Sequence, residues 1–149
     1  FYAQMEQEIS RAKRLEHTFS IIALDLNRFK AVNDTLGHVA GDALLMDIAR
    51  LLTRTVRDYD VVVRYGGDEF VVVLPEASAK EAAETIARLE ESVRVYTLHW
   101  PGLESIGFGA SMGASTYPDD GTDIKTLLET ADQRMYERKR KTGRAQDAA

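Results

Sequence analysis

Cysteine is absent from this 149-residue sequence, so disulfide bonds, thiolate metal sites and cysteine nucleophiles are excluded. Long apolar stretches are also missing, since no run exceeds about five residues whereas a membrane-spanning helix needs about 20. Excess positive charge is lacking too. A formal net charge of −5 argues against a general nucleic-acid binder, but it leaves room for a nucleotide neutralised by a metal and a few local cations.

The length of the chain corresponds to one domain with a buried core, which we expect to cover residues 1–149. Hydrophobic residues make up 44% and charged residues 29% of the sequence, as in an ordinary soluble globular protein. The first 20 residues carry Glu, Arg and Lys throughout and show no signal-peptide pattern. We therefore expect a cytoplasmic domain that itself contacts neither membrane nor nucleic acid.

The stretch Arg64–Phe70 places Gly-Gly-Asp-Glu between two β-branched runs, Val61–Val63 and Phe70–Leu74. This pattern predicts a hairpin, because glycine supplies the positive φ that tight turns demand. Two adjacent carboxylates, Asp68 and Glu69, would then lie at the tip and repel each other unless a cation lies between them. Mg²⁺ is a suitable cation for such oxygen ligands, but the two acids could also be merely polar turn residues.

A third acid, Asp25, ends a predicted strand over residues 18–26. A core strand rarely tolerates a carboxylate without a partner, so Asp25 is a candidate metal ligand. If this strand lies beside the hairpin, Asp25, Asp68 and Glu69 converge at one edge of the sheet. That arrangement suits two divalent ions that bridge the phosphates of a nucleotide.

Hydrophobic periodicity predicts helices and strands that do not alternate strictly, which favours an α+β fold with helices around a mostly antiparallel sheet. The predicted helices cover residues 1–15, 27–36, 42–56 and 78–93, with a last helix capped by Thr122, and the predicted strands cover 18–26, 95–99 and 106–117 besides the hairpin.

The joint between the two helices before the hairpin is unusually polar. Asn33 can donate and accept hydrogen bonds, whereas ionised Asp42 only accepts, and together they would suit the donor and acceptor edge of guanine. The alternative is that both residues cap helices, a common role for Asn and Asp. His38 taken alone is more often structural than catalytic.

Several short motifs occur in a fixed order over nearly the whole chain. They are Asp25-Leu26-Asn27-Arg28-Phe29-Lys30, Asn33-Asp34, Gly37-His38, Gly41-Asp42, Arg64-Tyr65-Gly66-Gly67-Asp68-Glu69-Phe70, Pro118-Asp119-Asp120-Gly121, Ala131-Asp132 and Met135-Tyr136. In this order they closely resemble the GGDEF family, the diguanylate cyclases. The resemblance implies an adenylyl-cyclase-like palm with a ferredoxin-like βααββαβ core.

The resemblance also implies a reaction and its metal ligands. Each domain of a homodimer would bind one GTP, and two attacks of a 3′-hydroxyl on an α-phosphate would give cyclic di-GMP and two pyrophosphates. Asp25, the Leu26 carbonyl and Asp68 would hold two Mg²⁺ or Mn²⁺ ions, with Glu69 assisting. Asp68 would also be the base for the 3′-hydroxyl.

For the nucleotide, the resemblance implies that Asn33 and Asp42 bind guanine and that His38 lies in the same pocket. The other residues it places at the substrate are Phe29, Lys30 and Gly67 and, on the basic last helix, Lys139, Arg140 and Arg144. The spacing of these last basic residues departs from the family pattern, so Lys139 or Arg140 could fill the same role, and the helix end could instead be a solvated tail.

A second site follows from the spacing of Arg57 and Asp60 before the hairpin, which matches the product-inhibition site of the family. Arg57 could bind the O6 and N7 edge of a guanine with two hydrogen bonds, while Asp60 accepts from its N1 and N2. Arg88 stands where the family often has an arginine that closes this site. The alternative is an ordinary i, i+3 ion pair at a helix end.

We therefore interpret the sequence as an active, product-inhibited diguanylate cyclase. The alternative function is a catalytically silent GGDEF domain that acts as a receptor for cyclic di-GMP or GTP. The turn and the asparagine-arginine pair that precede such domains do not appear before Phe1. We accordingly expect a C-terminal part of a longer protein, with an N-terminal sensor domain and any membrane anchor outside these residues.

Overall fold

The computed structural model describes the backbone of residues 1–148 and the side chains of residues 1–141. None of the helices in this part of the chain is long and apolar enough to cross a membrane. The elements are α1 (Tyr2–Leu15), β1 (Phe19–Asn27), α2 (Phe29–Leu36), α3 (His38–Thr55), β2 (Val61–Arg64), β3 (Glu69–Leu74), α4 (Ala79–His99), α5 (Leu103–Ile106), β4 (Gly109–Tyr117) and α6 (Ile124–Ala148).

The sheet confirms the predicted α+β palm. Its strands are ordered β2-β3-β1-β4, and every neighbouring pair is antiparallel. From β1 to β4 the elements follow the order βααββαβ, with only the four-residue α5 inserted before β4. The central position of β1 places the end of this strand directly beside the tip of the β2–β3 hairpin.

Alternating side chains of β1 build two separate hydrophobic cores, because successive residues of a strand point to opposite faces of the sheet. Ile22, Leu24 and Leu26 belong to the core under α3 and α4. Ile21 and Ala23 belong to the core under α1 and α6. Asp25 continues this second row, so its side chain lies on the face that α6 covers.

Helix α6 lies unusually close to β4. A Cβ placed on Gly113 would collide with the backbone of Ala131 and Met135. Gly113 pairs with Ala23 of β1, so two small residues lie side by side under the helix. The hydroxyl of Ser115 adds a 2.7 Å hydrogen bond to the carbonyl of Leu127. Small residues on the strands thus fix the depth at which α6, and the basic residues on it, sit against the sheet.

The predicted strand over residues 95–99 is wrong, since these residues continue helix α4 to His99. Val95 and Tyr96 have high β propensity, which favoured a strand. However, Leu89, Val93 and Thr97 are buried at intervals of four residues, so burial of one helical face overrides the local preference.

Three element boundaries also differ from the sequence prediction. Helix α3 begins at His38 rather than at residue 42, and β4 begins at Gly109 because α5 precedes it. The last helix is capped by Asp123 rather than Thr122. The Asp123 carboxylate accepts hydrogen bonds from the amide of Thr126 at 2.8 Å and from its hydroxyl at 2.9 Å. A carboxylate is a better acceptor at a helix N-terminus than a hydroxyl, because it also complements the helix dipole.

We expect Gly113→Ala to lower the free energy of unfolding by about 3 kcal/mol, because the added methyl group meets backbone atoms that cannot rotate away. Urea denaturation followed by circular dichroism measures the change. Gly67→Ala is the matched control, since nothing lies within 4 Å of a Cβ at that position. An unchanged unfolding midpoint for Gly113→Ala would show that α6 does not rest on the strand in this way.

Candidate active site

Three acids meet where β1 ends beside the hairpin, as the sequence predicted. Asp25 lies directly opposite Glu69 in the register of β1 and β3. One residue further on, the amide of Leu26 donates a 3.0 Å hydrogen bond to the carbonyl of Asp68. We call this set of Asp25, Asp68 and Glu69 the carboxylate edge. Backbone pairing thus holds the acids together even though their charges repel.

The hairpin tip is held by Arg64, which sequence analysis did not single out. The amides of Tyr65 and Gly66 donate to the carbonyl of Glu69 at 2.8 and 3.2 Å. The Arg64 guanidinium donates from Nε to the carbonyls of Gly66 and Gly67, both at 3.1 Å, and from Nη2 to that of Gly67 at 2.6 Å. Arg64 therefore binds the backbone of the turn while its charge lies near Asp68.

The two glycines of the tip leave room for neighbouring groups and do not supply a positive φ. Positive φ was expected for this turn, but neither Gly66 nor Gly67 has a positive φ. At Gly66, a Cβ would lie only 3.0 Å from the Glu69 carboxylate, so the missing side chain leaves room for that acid. At Gly67, open space surrounds the Cα, which allows another molecule to approach the backbone closely.

The acids of the carboxylate edge are destabilised by one another. Burial raises the pKa of Asp68, and the charge of Asp25 raises it further. Burial also raises the pKa of Glu69, followed by repulsion from Asp25 and then from Asp132 of α6. The role of Asp132 was not predicted, because its motif carried no assigned function. Burial is thus the larger cause of both raised pKa values, and repulsion from the neighbouring carboxylates adds to it.

Lys139 of α6 provides one cation at this edge. Its Nζ lies 2.6 Å from Oδ2 of Asp25, whose side chain is only 14% exposed. The other oxygen of Asp25, Oδ1, is buried and accepts no hydrogen bond from the described residues. One carboxylate oxygen is thus paired, while the other still requires a donor or a positive ion.

These residues fit a hard divalent cation. Carboxylate and carbonyl oxygens are the ligands that Mg²⁺ prefers, and an unpaired buried oxygen beside repelling acids is stabilised by positive charge. Within residues 1–141, no three acidic or histidine side chains are spaced as a complete ligand set. One oxygen of Asp25 is instead taken by Lys139.

The N-terminus of α2 follows the end of β1 after a single linking residue. Arg28 adopts the left-handed conformation with φ 66°, and α2 begins at Phe29. The amide of Val32 is bonded to the carbonyl of Arg28, so the amides of Phe29 and Lys30 precede the first intrahelical hydrogen bond. Such amides, together with the helix dipole, favour an anion at this position.

Asn33 lies inside α2, and Asp42 lies inside α3, so the alternative that they cap helices is wrong. Gly37 separates the two helices without any side-chain cap. The Asn33 side chain approaches α3 so closely that a Cβ on Gly41 would collide with its Oδ1. The missing side chain of Gly41 thereby lets Asn33 pack against α3, and both Asp42 and His38 are exposed at this joint.

The basic residues of α6 are placed differently from one another. Lys139 faces the carboxylate edge, whereas the Arg140 guanidinium lies over the ring of Tyr136, 6.0 Å from its centroid. Adjacent residues of a helix point about 100° apart, so only one of them can face the site. The side chain of Arg144 lies outside the described residues.

Two clefts open beside the carboxylate edge. One of about 280 Å³ lies between β3 and α6 and is lined by Glu69 and Asp132 among others. The other, of about 600 Å³, is lined by Asn27 and by Ser111, the residue paired with Asp25 in β4. The smaller cleft therefore opens directly on the carboxylate edge, whereas the larger one is lined by none of its three acids.

Arg57, Asp60 and Arg88 come together about the turn between α3 and β2. The Arg57 amide donates to Oδ2 of Asp60 at 2.9 Å, and the Asp60 amide donates to the carbonyl of Arg57 at 3.0 Å. Burial raises the pKa of Asp60, while Arg57 and Arg88 oppose this shift. The Arg57 guanidinium binds Tyr59 and Glu81 rather than Asp60, so the suggested i, i+3 ion pair is not what joins them.

Comparison with known proteins matches residues 1–145 to the family model described as diguanylate cyclase, GGDEF domain. Diguanylate cyclase A of Treponema denticola is 36% identical over 131 residues, which is 88% of this chain but 35% of that relative. The GGDEF domain of YfiN from Pseudomonas aeruginosa is 31% identical with a TM-score of 0.85, covering 95% of this chain and 88% of that one.

A further solved structure is the GGDEF domain of DgcB from Caulobacter crescentus in complex with c-di-GMP. It is 27% identical with a TM-score of 0.80, covering 93% of this chain and 81% of that one. The present chain spans about a third of the length of its curated relative from Treponema.

We expect Asp68→Asn to stabilise the domain in the presence of a chelator. Because the folded-state pKa of Asp68 is raised, its ionised form weakens the fold above that pKa, and the penalty is absent where both states are protonated. At about pH 8 the Tm should rise by roughly 1–2 °C, a small shift because solvent screens the partly exposed group. At about pH 3 it should not change.

Differential scanning fluorimetry with and without Mg²⁺ measures both effects. Mg²⁺ should raise the Tm of the parent chain, because it binds only the folded state, and should raise that of Asp68→Asn less. Asp119→Asn, in an exposed turn, is the control. A lower Tm for Asp68→Asn at high pH, or an equal response of both chains to Mg²⁺, would contradict the assignment.

Proposed function

The chain belongs to the GGDEF domain family, and on that premise we propose that it is a diguanylate cyclase, which condenses two GTP into cyclic di-GMP and two pyrophosphates. The observation that carries this proposal is the carboxylate edge, where Asp25, Asp68 and Glu69 accumulate negative charge next to the N-terminus of α2. Phosphoryl transfer relies mainly on positioning and charge neutralisation, and this edge offers groups for both.

Asp25, the carbonyl of Leu26, Asp68 and Glu69 would hold the metal ions, which we propose to be two Mg²⁺ or Mn²⁺ per site. When bound, these ions supply the positive charge that offsets the phosphates and the developing charge of the transition state. The unpaired Oδ1 of Asp25 and the raised pKa values of Asp68 and Glu69 support this assignment.

The joint between α2 and α3 would bind the guanine. Asn33 offers an amide that both donates and accepts, and Asp42 accepts from the N1 and exocyclic amine hydrogens, so adenine would leave Asp42 without a donor. The contact between Asn33 and Gly41 supports a role for both helices in this site, and His38, which is exposed at the same joint, would lie in the same pocket.

The phosphates would lie against the amides of Phe29 and Lys30, with the open backbone at Gly67 allowing close approach. Among the described basic residues of α6, Lys139 faces the carboxylate edge, and in reaching a phosphate it would exchange its contact with Asp25. Arg140 is the second candidate for this role, although its guanidinium packs on Tyr136.

In the reaction itself, the 3′-hydroxyl oxygen of one GTP attacks the α-phosphorus of the other. Asp68 accepts the hydroxyl proton, and pyrophosphate leaves from the attacked phosphorus. The raised pKa of Asp68 suits a general base, because it brings the proton affinity of the carboxylate closer to the working pH. Two such attacks close the ring, so two GTP-loaded domains must face each other as a homodimer.

Arg57, Asp60 and Arg88 would form an inhibitory site for the product. Their convergence at the turn before β2 supports this proposal, since an arginine and a carboxylate together match the hydrogen-bonding edges of guanine. The DgcB domain, which was solved with c-di-GMP, is similar to this chain over most of its length.

A regulated cyclase also needs a group that receives the regulatory signal, and we propose an N-terminal sensor domain for that role.

We expect Asp68→Ala to abolish turnover, because it removes both a metal ligand and the proposed base. The measurement is incubation with GTP and Mg²⁺, with pyrophosphate release and chromatographic detection of cyclic di-GMP. The exposed Asp119→Ala should keep the rate of the parent chain. Full turnover by Asp68→Ala would contradict the proposed role. Inactivity of the parent chain together with cyclic di-GMP binding would indicate a receptor instead.

We expect Arg57→Ala to raise the cyclic di-GMP concentration needed for half-inhibition by roughly tenfold, since a bidentate contact to guanine contributes about 1–3 kcal/mol. Inhibition of initial rates by added product measures this change. Arg54→Ala, one turn earlier on the exposed face of α3, is the matched control. Equal inhibition of Arg57→Ala and the parent chain would rule out this site.

A further inference from the structure

Both terminal nitrogens of the Arg57 guanidinium are already engaged within the domain. Nη1 donates to the hydroxyl of Tyr59 at 2.9 Å, and Nη2 donates to Oε2 of Glu81 at 3.3 Å. The guanidinium also lies 5.9 Å from the centroid of the Tyr59 ring. Although the Arg57 side chain is 41% exposed, each of its terminal nitrogens therefore already donates a hydrogen bond within the domain.

Glu81 is held in place by the start of helix α4. Its amide donates to Oγ of Ser78 at 3.2 Å, and Oγ of Ser78 donates to Oε1 of Glu81 at 3.3 Å, as in a capping box. The hydrogen bond from Arg57 lowers the pKa of Glu81, so this carboxylate is ionised. One of its oxygens thus belongs to the helix cap while the other is directed to Arg57.

Asp60, the hydrogen-bond acceptor of the proposed site, still has a free oxygen, in contrast to the engaged terminal nitrogens of Arg57. Oδ2 of Asp60 accepts from the amide of Arg57, but Oδ1 is buried and has no hydrogen-bond partner among the described residues. A ligand with N–H groups could therefore bind the free oxygen of Asp60 directly, whereas at Arg57 it must approach a guanidinium that already binds Tyr59 and Glu81.

We propose that Glu81 competes with cyclic di-GMP for Arg57 and thereby sets the concentration at which the product inhibits. The proposal rests on the proposed product site of Arg57, Asp60 and Arg88. A bidentate contact from Arg57 to guanine O6 and N7 needs one open edge of the guanidinium, and the Glu81 carboxylate, which binds Nη2 in the free domain, limits the approach and the orientation of that edge. Its negative charge also repels the two phosphates of the ligand.

The expected effect is modest because the Arg57–Glu81 pair lies at the surface, where both side chains are about 40% exposed. Removing the charge of Glu81 should tighten cyclic di-GMP binding by roughly two- to fivefold, in line with the strength of exposed ion pairs. Glu81→Gln is the suitable change, because glutamine also completes a capping box and so preserves the start of α4.

Isothermal titration of cyclic di-GMP into the full chain tests the proposal, with Glu81→Gln, Arg57→Ala and Glu91→Gln measured under the same conditions. Glu91 is the matched control, since it is an exposed acid of the same helix whose partner is Arg94 at 2.6 Å. We expect Kd to fall for Glu81→Gln, to rise for Arg57→Ala and to stay unchanged for Glu91→Gln.

The outcomes separate this inference from the product site on which it rests. If Arg57→Ala weakens binding but Glu81→Gln leaves Kd unchanged or raises it, the competition is refuted and the product site stands. A Kd that falls equally for Glu81→Gln and Glu91→Gln would also refute it, because the effect would then reflect net charge. If the parent chain shows no binding that depends on Arg57, the product site and the role of Glu81 fail together.

Discussion

The crowding of like charges at the end of β1 is the constraint that organises this domain. Antiparallel pairing places Asp25 opposite Glu69, and the hairpin turn adds Asp68 beside them. Burial and, after it, repulsion from Asp25 raise the pKa values of both hairpin acids, so their ionised forms are less stable in the folded protein. Lys139 offsets part of the charge, and the remaining negative charge suits a bound cation, which could in turn offset the charge of phosphates.

The proposed product site resembles the carboxylate edge in that a charged residue is bound by an oppositely charged residue of the same domain. At the proposed product site, Arg57 binds Glu81 of its own domain, and at the carboxylate edge Asp25 binds Lys139. Glu81 and Lys139 thus bind side chains that we also propose as ligand-binding groups. The four-residue strand β2 separates the two sites, with the Arg57–Asp60 turn before it and Arg64, which binds the hairpin tip, at its end.

Local patterns along the chain predict those parts of the site that one or two short segments build. The strand ending at Asp25, the hairpin and the α+β architecture all follow from residue alternation and charge. Contacts between distant segments cannot be predicted from such local patterns. Lys139 contacts Asp25 although 114 residues separate them in the sequence. This contact is possible because small residues such as Gly113 let α6 approach the sheet closely. The strand predicted over residues 95–99 failed for a related reason, since tertiary burial decided the structure there.

The most direct test of the central claim measures pyrophosphate release from GTP and Mg²⁺ over a wide range of protein concentration, with the nucleotide product identified at each point. The account predicts cyclic di-GMP and a rate per molecule that rises with concentration, because two GTP-loaded domains must meet before either 3′-hydroxyl can attack. A rate per molecule independent of concentration with a product other than cyclic di-GMP, or no turnover at the highest concentration, would contradict it.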